Sequence, residues 1–235
     1  MSASEQPLAS LSLTHVHYNP TDIVSYASAW LALVPQVLCV TYVALIWASR
    51  EVEIILMFAG QLGCEALNFA LKRLIREERP KYMHGKGYGM PSSHAQFVAY
   101  FSCYITLFLL LRHKPNFSVT PNATTFIQRA AVSVLACVGA SAVAISRLYL
   151  NYHTKKQVLA GFAAGVLLSV AWFFTISFLR TTGWIDWALE FPLSRALRVR
   201  DLVVSEDLTE AGWQRWEARR MLKQREDSES SRKSK

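Results

Sequence analysis

Five long runs of apolar residues, separated by short polar segments, dominate the pattern along the chain. The first, Ala27 to Ala48, carries no charge and has the roughly twenty residues that a helix needs to cross hydrocarbon. The second, from about Val52 to Ile75, is interrupted by Glu65, Asn68 and Lys72, whose i, i+3, i+7 spacing puts them on one helical face. Such groups are tolerated at membrane depth where they face protein. Ala95 to Leu111, Ala130 to Ile145 and Val158 to Leu179 complete the set, the fourth run being the shortest. The pattern predicts an all-α integral membrane bundle of about five transmembrane helices, because a helix satisfies its own backbone polar groups in lipid.

The flanks read differently. Residues 1–26 are polar and end in a turn at Tyr18 to Asp22, with no basic n-region, so no cleavable signal peptide is expected and the first span is retained. Beyond Arg180, the stretch from Trp184 to Leu197 is expected as an interfacial helix, and the final residues have the composition of disorder. The chain therefore divides into a segment 1–26, a transmembrane domain 27–179 and a C-terminal segment 180–235. No Lys or Arg precedes the first span and Arg50 follows it, which favours a lumenal N-terminus and, with an odd span count, a cytosolic C-terminus. The loops after spans two and four then share the N-terminal side, while the sequons at Asn116 and Asn122 fall on the other.

Composition agrees: 52% of residues are hydrophobic and only 18% charged, although collection of the charge at the ends keeps mean hydropathy at +0.19. The net charge of +8 would suit nucleic acid, anionic lipid or a phosphorylated substrate, and position chooses among them. Cys39, Cys64, Cys103 and Cys137 lie in four different apolar runs without metal-ligand or disulfide spacing, and read as small buried residues.

Three polar clusters break the apolar pattern, and the five-span reading brings them to one membrane face. In the first, Lys72 and Arg79 stand seven residues apart before Pro80 ends the helix. In the second, Pro91-Ser92-Ser93-His94 opens span three; ordinary capping accounts for the serines, whereas an anion cradle with a proton donor also accounts for His94. The third, Ser146-Arg147 to His153, joins an arginine able to bind phosphate in a fork to an imidazole able to act as nucleophile. Basic residues flanking membrane helices explain each cluster alone less well than one phosphate site explains all three.

The succession K-x6-R-P, P-S-x-H and S-R-x5-H resembles the three-part signature of the type 2 phosphatidic acid phosphatase superfamily. That resemblance implies His153 as nucleophile, His94 as general acid, and Lys72, Arg79, Ser92, Ser93 and Arg147 as phosphate ligands, with no metal or other cofactor. Glu65 and Asn68 are expected to support Lys72, although polar residues there would also suit a non-catalytic lipid-phosphate binder or transporter. Two departures stand out: Ser93 replaces the usual glycine, and Gln157 stands where most members carry an aspartate four residues after the nucleophile. Gln157 can either orient His153 or complete a capping box with Thr154. The same departures, with the N-terminal L-T-H-V-x-Y, look like the dolichyl diphosphatases of the endoplasmic reticulum. They imply a lumenal site, a polyisoprenoid diphosphate substrate, membrane lipid as the surroundings, and no nucleic acid. Phosphatidate and sphingoid-base phosphates are the alternative substrates. His15 and His17 lie on the same expected face and read as part of a solvated segment.

Overall fold

The computed structural model describes residues 9–11, 16–80, 87–116 and 122–233. A small antiparallel hairpin, β1 (Ala9–Leu11) with β2 (Val16–Tyr18), precedes nine helices among these residues. They are α1 (Ile23–Leu31), α2 (Val34–Ser49), α3 (Val52–Ile75), α4 (Ser93–Leu107), α5 (Phe126–Tyr149), α6 (Lys155–Thr181), α7 (Trp184–Leu189), α8 (Pro192–Ala196) and α9 (Leu208–Lys233). Five stretches are long and apolar enough to cross a membrane: α1 with α2, then α3, α4 with the π-helical turn Phe108–Arg112, α5 and α6. The chain is thus a multi-pass helical bundle. Large apolar side chains such as Leu135, Leu159, Leu167 and Phe178 stand exposed on its outer surface, as lipid-facing residues must.

Helix ends follow capping chemistry rather than hydropathy, so most spans overrun the apolar runs. The short fourth run becomes the 24-residue α5 because Thr125 and Gln128 form a reciprocal capping box. In the first span, Pro35 has no N–H to continue the ladder, and the chain turns at Ala32 and Leu33 between α1 and α2.

At the centre, α4 packs against α3, α5 and α6, and its approach to α6 is backbone to backbone. A Cβ on Gly161 would lie 2.5 Å from the Ser92 carbonyl oxygen, and one on Gly165 2.3 Å from that of Gln96. These small-xxx-small positions let two parallel helices meet without intervening side chains. Tyr100, Tyr104, Phe108 and Phe173 fill the space toward the other end of the bundle.

That other end is closed by buried charge. Glu53 accepts from Tyr104 (2.9 Å), from Arg180 (2.7 Å) and from Arg112, which the π-helical turn carries to it. Arg180 also pairs with Asp201, while Glu51 accepts from Arg200 (2.8 Å) and from the N–H groups of Leu202 (2.8 Å) and Val203 (3.0 Å). Removing one partner from such buried pairs leaves an uncompensated ion, so the network holds the segment after α8 against the bundle.

Several expectations need correction. The N-terminal segment is packed rather than solvated: Val16 is buried with Tyr18, Leu150 and Tyr152, and the His17 N–H donates to the Tyr152 hydroxyl (2.9 Å). The tail expected to be disordered is helical to Lys233, its Glu, Lys, Arg and Gln being good helix formers and the Asp207 carboxylate accepting from the N–H groups of Thr209 (3.1 Å) and Glu210 (3.3 Å). The Trp184 to Leu197 stretch forms two short helices, because Pro192 starts a new one. Cys137 is exposed on α5 rather than buried, since it lies on the helix's outer face, and all four cysteines are free. His15 and part of the Asn116 sequon lie outside the described residues.

The α4–α6 contact yields a paired expectation. Gly165→Leu should lower the thermal midpoint of the detergent-solubilised protein by several degrees, whereas Gly139→Leu, where a Cβ meets nothing within 4 Å, should leave it within a degree or two. Equal melting of the two variants would show that the close approach carries no weight.

Candidate active site

The first cluster leaves the end of α3 at Ile75, with Arg76 in the left-handed conformation that turns the chain across the bundle end. Lys72 projects from the last turn of α3 and Arg79 from the segment that follows, and each lies within the other's electrostatic reach. The segment is pinned where the Gly89 N–H donates to the Glu77 carbonyl (2.7 Å).

The second cluster starts α4. Ser92 is its N-cap residue, yet its hydroxyl makes no capping bond and is buried with no hydrogen-bond partner among the described residues. The Ser92 N–H donates to the Gln157 carbonyl (3.1 Å), so that donor belongs to the α4–α6 junction rather than to an anion cradle. The N–H groups of Ser93, His94 and Ala95 have no acceptor among the described residues, as expected of an uncapped helix start. His94 donates from Nε2 to the Ala32 carbonyl (3.1 Å), which fixes its tautomer because a carbonyl only accepts. It also lines a cavity of about 400 Å³ with Pro35, Gln36, Cys39, Glu65, Ser93 and Phe97.

The third cluster ends α5 and starts α6. The Arg147 side chain is buried; Nε and Nη2 donate to the Ser146 hydroxyl (3.2 and 3.1 Å), and Nη2 also to the Ser28 carbonyl (3.0 Å). The Nε–Nη2 fork is therefore occupied by protein, and Nη1 makes no hydrogen bond among the described residues. The Arg147 carbonyl accepts from the N–H groups of Tyr152 (3.0 Å) and His153 (3.3 Å), folding the short connection so that His153 points back into the bundle.

Gln157 holds His153. Its Nε2 donates to Glu77 Oε1 (3.1 Å) and to the Glu78 carbonyl (2.9 Å), two groups that only accept, so its Oε1 must face the other way. There it accepts from the Thr154 N–H (3.2 Å) and from His153 Nδ1 (3.2 Å). The two alternatives for Gln157, capping and orienting, are thus both realised, one by each lone pair of the same oxygen. With its proton on Nδ1, His153 carries its lone pair on Nε2. Burial pushes the imidazole down to about 4, aided by the positive charges of Arg79 and Lys72; its hydrogen bonds to Gln157 and the Gly89 backbone oppose this and are outweighed.

The structure thus brings Lys72, Arg79, Ser92, Ser93, His94, Arg147, His153 and Gln157 to one end of the bundle, where His94 lies within electrostatic reach of Arg147, His153 and Lys72. The supporting pair divides. Glu65 faces Lys72 electrostatically, but Asn68 does not hold Lys72: it is buried and donates to Gln96 Oε1 (2.7 Å) and the Pro91 carbonyl (3.5 Å), bracing the start of α4. Sequence reasoning missed Gly89, Gly161, Gly165 and Glu77. The G-x-x-x-G spacing in an apolar run was a usable signal for Gly161 and Gly165; nothing local marks Glu77 as a partner of a residue eighty positions away.

Comparison with known proteins agrees with this geometry. The PAP2 superfamily model matches residues 50–181, which contain all three clusters. A putative dolichyldiphosphatase of Neurospora crassa is 48% identical, covering 95% of this chain and 96% of that protein. Dolichyldiphosphatase 1 of Homo sapiens is 37% identical, with 81% of each chain covered, and the dolichyldiphosphatase of Saccharomyces cerevisiae is 29% identical, with 86% and 87% covered. With more than half its length inside the family model and these relatives spanning most of the rest, the chain belongs to the PAP2 superfamily.

Proposed function

We propose that this membrane phosphatase hydrolyses dolichyl diphosphate to dolichyl phosphate and orthophosphate at the lumenal face of the endoplasmic reticulum, returning the lipid carrier to protein N-glycosylation. The observation that carries the chemistry is the fixed tautomer of His153, a buried neutral imidazole with its lone pair on Nε2, at the same end as His94 and three cationic side chains. The substrate class comes from the relatives' names and from the match between membrane helices and a polyisoprenoid tail.

In this mechanism Lys72, Arg79 and Arg147 hold the terminal phosphoryl oxygens, with the free N–H groups of α4 and the Ser92 hydroxyl as further donors. His153 Nε2 attacks the terminal phosphorus. The bond to the bridging oxygen breaks, its electron pair leaves with dolichyl phosphate, and His94, which enters this step as imidazolium with a proton on each ring nitrogen, delivers the Nδ1 proton to that oxygen while Nε2–H stays on the Ala32 carbonyl. The cavity beside His94 gives the departing lipid phosphate room. Water then attacks the phosphohistidine as His94 takes its proton; orthophosphate leaves and the Nε2 lone pair returns. A phosphate monoester is a far better leaving group than an alkoxide, so less is demanded of the group beside His153 than in cleavage of a phosphomonoester.

Purified protein in EDTA should release phosphate from dolichyl diphosphate in clear preference to phosphatidate; the reverse preference would overturn the substrate assignment. With terminally labelled substrate and an alkaline quench, wild type should carry label that His153→Ala lacks, with turnover falling at least about 10³-fold. Wild type that binds lipid and never labels would point to a non-catalytic binder. Because the His153 pKa is lowered, the neutral nucleophile persists in acid: the labelling rate should hold to about pH 5 and fall near 4, whereas a fall centred near 6.5 would contradict the burial of the nucleophile.

The orientation has its own test. The site shares its end of the bundle with the N-terminal hairpin, while Asn122 lies at the other end, its side chain donating to Glu210 (3.2 Å). Asn122 should carry no glycan in microsomes; endoglycosidase-sensitive glycan there would put the wrong end in the lumen.

A further inference from the structure

The aspartate that most superfamily members place beside the nucleophile would lend it negative charge, and Gln157 has none to lend. Its amide nevertheless ends on a carboxylate: His153 Nδ1 donates to Gln157 Oε1 (3.2 Å), and Gln157 Nε2 donates to Glu77 Oε1 (3.1 Å). We propose that Glu77 is a positioning residue for His153, supplying through the Gln157 amide the charge and orientation that a directly bonded carboxylate would give. The proposal rests on His153 being the nucleophile.

Several features fit this role. An amide between donor and carboxylate is polarised by both, and hydrogen bonds in series strengthen one another at low dielectric. Glu77 also fixes which way round the amide sits, since with Glu78 it supplies acceptors only on the Nε2 side. The backbone of Glu77 is held by the Gly89 N–H (2.7 Å), and Gly89 is the residue type this requires: a Cβ there would lie 2.8 and 2.9 Å from the two Gln157 amide atoms. The second carboxylate oxygen takes Lys156 Nζ (2.8 Å). Hydrogen bonds from Lys156 and then Gln157 hold the Glu77 carboxyl below its usual range, so it stays ionised wherever the enzyme works.

The charge matters because His153 becomes cationic when phosphorylated. Arg79 and Lys72 face it from the α3 side and His94 from α4, with Tyr152 adjacent in sequence. Glu65 acts on Lys72 instead. Among the described residues, Glu77 is thus the carboxylate hydrogen-bonded to the group holding His153.

The test compares wild type, Glu77→Gln and the exchange Glu77→Gln with Gln157→Asp, which places the carboxylate next to His153 and the amide behind it. Turnover of dolichyl diphosphate is measured alongside NMR titration of histidine in ¹⁵N-histidine-labelled protein in micelles. Glu77→Gln should lower kcat about 10- to 100-fold with KM within about threefold, and move the His153 titration to lower pH by about half a unit or more. The exchange should recover at least about tenfold of the lost kcat. Glu77→Gln with wild-type kcat and titration would overturn the proposal. So would a loss of activity with the His153 titration unmoved, which marks a merely structural loop residue. If instead wild type never forms phosphohistidine, the nucleophile assignment falls, and the titration separately decides whether Glu77 acts on His153.

Discussion

The backbone contact between α4 and α6 is the constraint on which the site depends. Gly161 stands against Ser92 and Gly165 against Gln96, so the two helices run parallel in a fixed register and start at the same membrane face. That register lets the Ser92 N–H reach the Gln157 carbonyl and joins the start of one helix to the first turn of the other. His94 and His153 then come from neighbouring helix starts rather than from long loops. Elements packed this closely hold reacting groups more narrowly than loops do.

Much of the polar chemistry near the site serves to hold it before substrate arrives. Arg147 spends Nε and Nη2 on Ser146 and Ser28; His94 spends Nε2 on Ala32, at the turn where Pro35 interrupts the first span; His153 spends Nδ1 on Gln157. Each bond settles which nitrogen is left toward the reaction. A cluster of Lys72, Arg79 and Arg147 in a partly dehydrated site repels itself, and the proposed diphosphate would relieve that repulsion. Unpaired donors such as the Ser92 hydroxyl and the start of α4 add to the same pull.

The sequence carried those parts of this arrangement that are local. Apolar runs of spanning length, caps, and three motifs between spans can be read from neighbours along the chain, and they located the five membrane helices and the eight residues gathered at one end. What escaped depends on partners far apart in number. Glu53, which nothing in its neighbours along the chain sets apart, is the buried anion shared by Arg112 and Arg180. Asn68 was on the expected face but at a height where Gln96 and Pro91, rather than Lys72, are in reach. Even Gln157, read as a choice between two roles, could fill both because its carbonyl oxygen has two lone pairs, a possibility that spacing alone leaves open.

The two ends of the bundle differ in how they treat charge, and the difference follows from what each must do. At the Glu51 and Glu53 end, cations and carboxylates are paired within the protein, and the segment after α8 is tied down by them. At the site end, Lys72 and Arg147 form no ion pair with a carboxylate among the described residues, and Glu77 is engaged by Lys156 and by the Gln157 amide. Pairing Lys72 or Arg147 with an internal carboxylate would weaken the pull on the phosphate proposed to bind there. A membrane bundle can leave Lys72 and Arg147 without carboxylate partners at one end because α4 and α6 are held by backbone contact, which asks nothing of the charged side chains beside it.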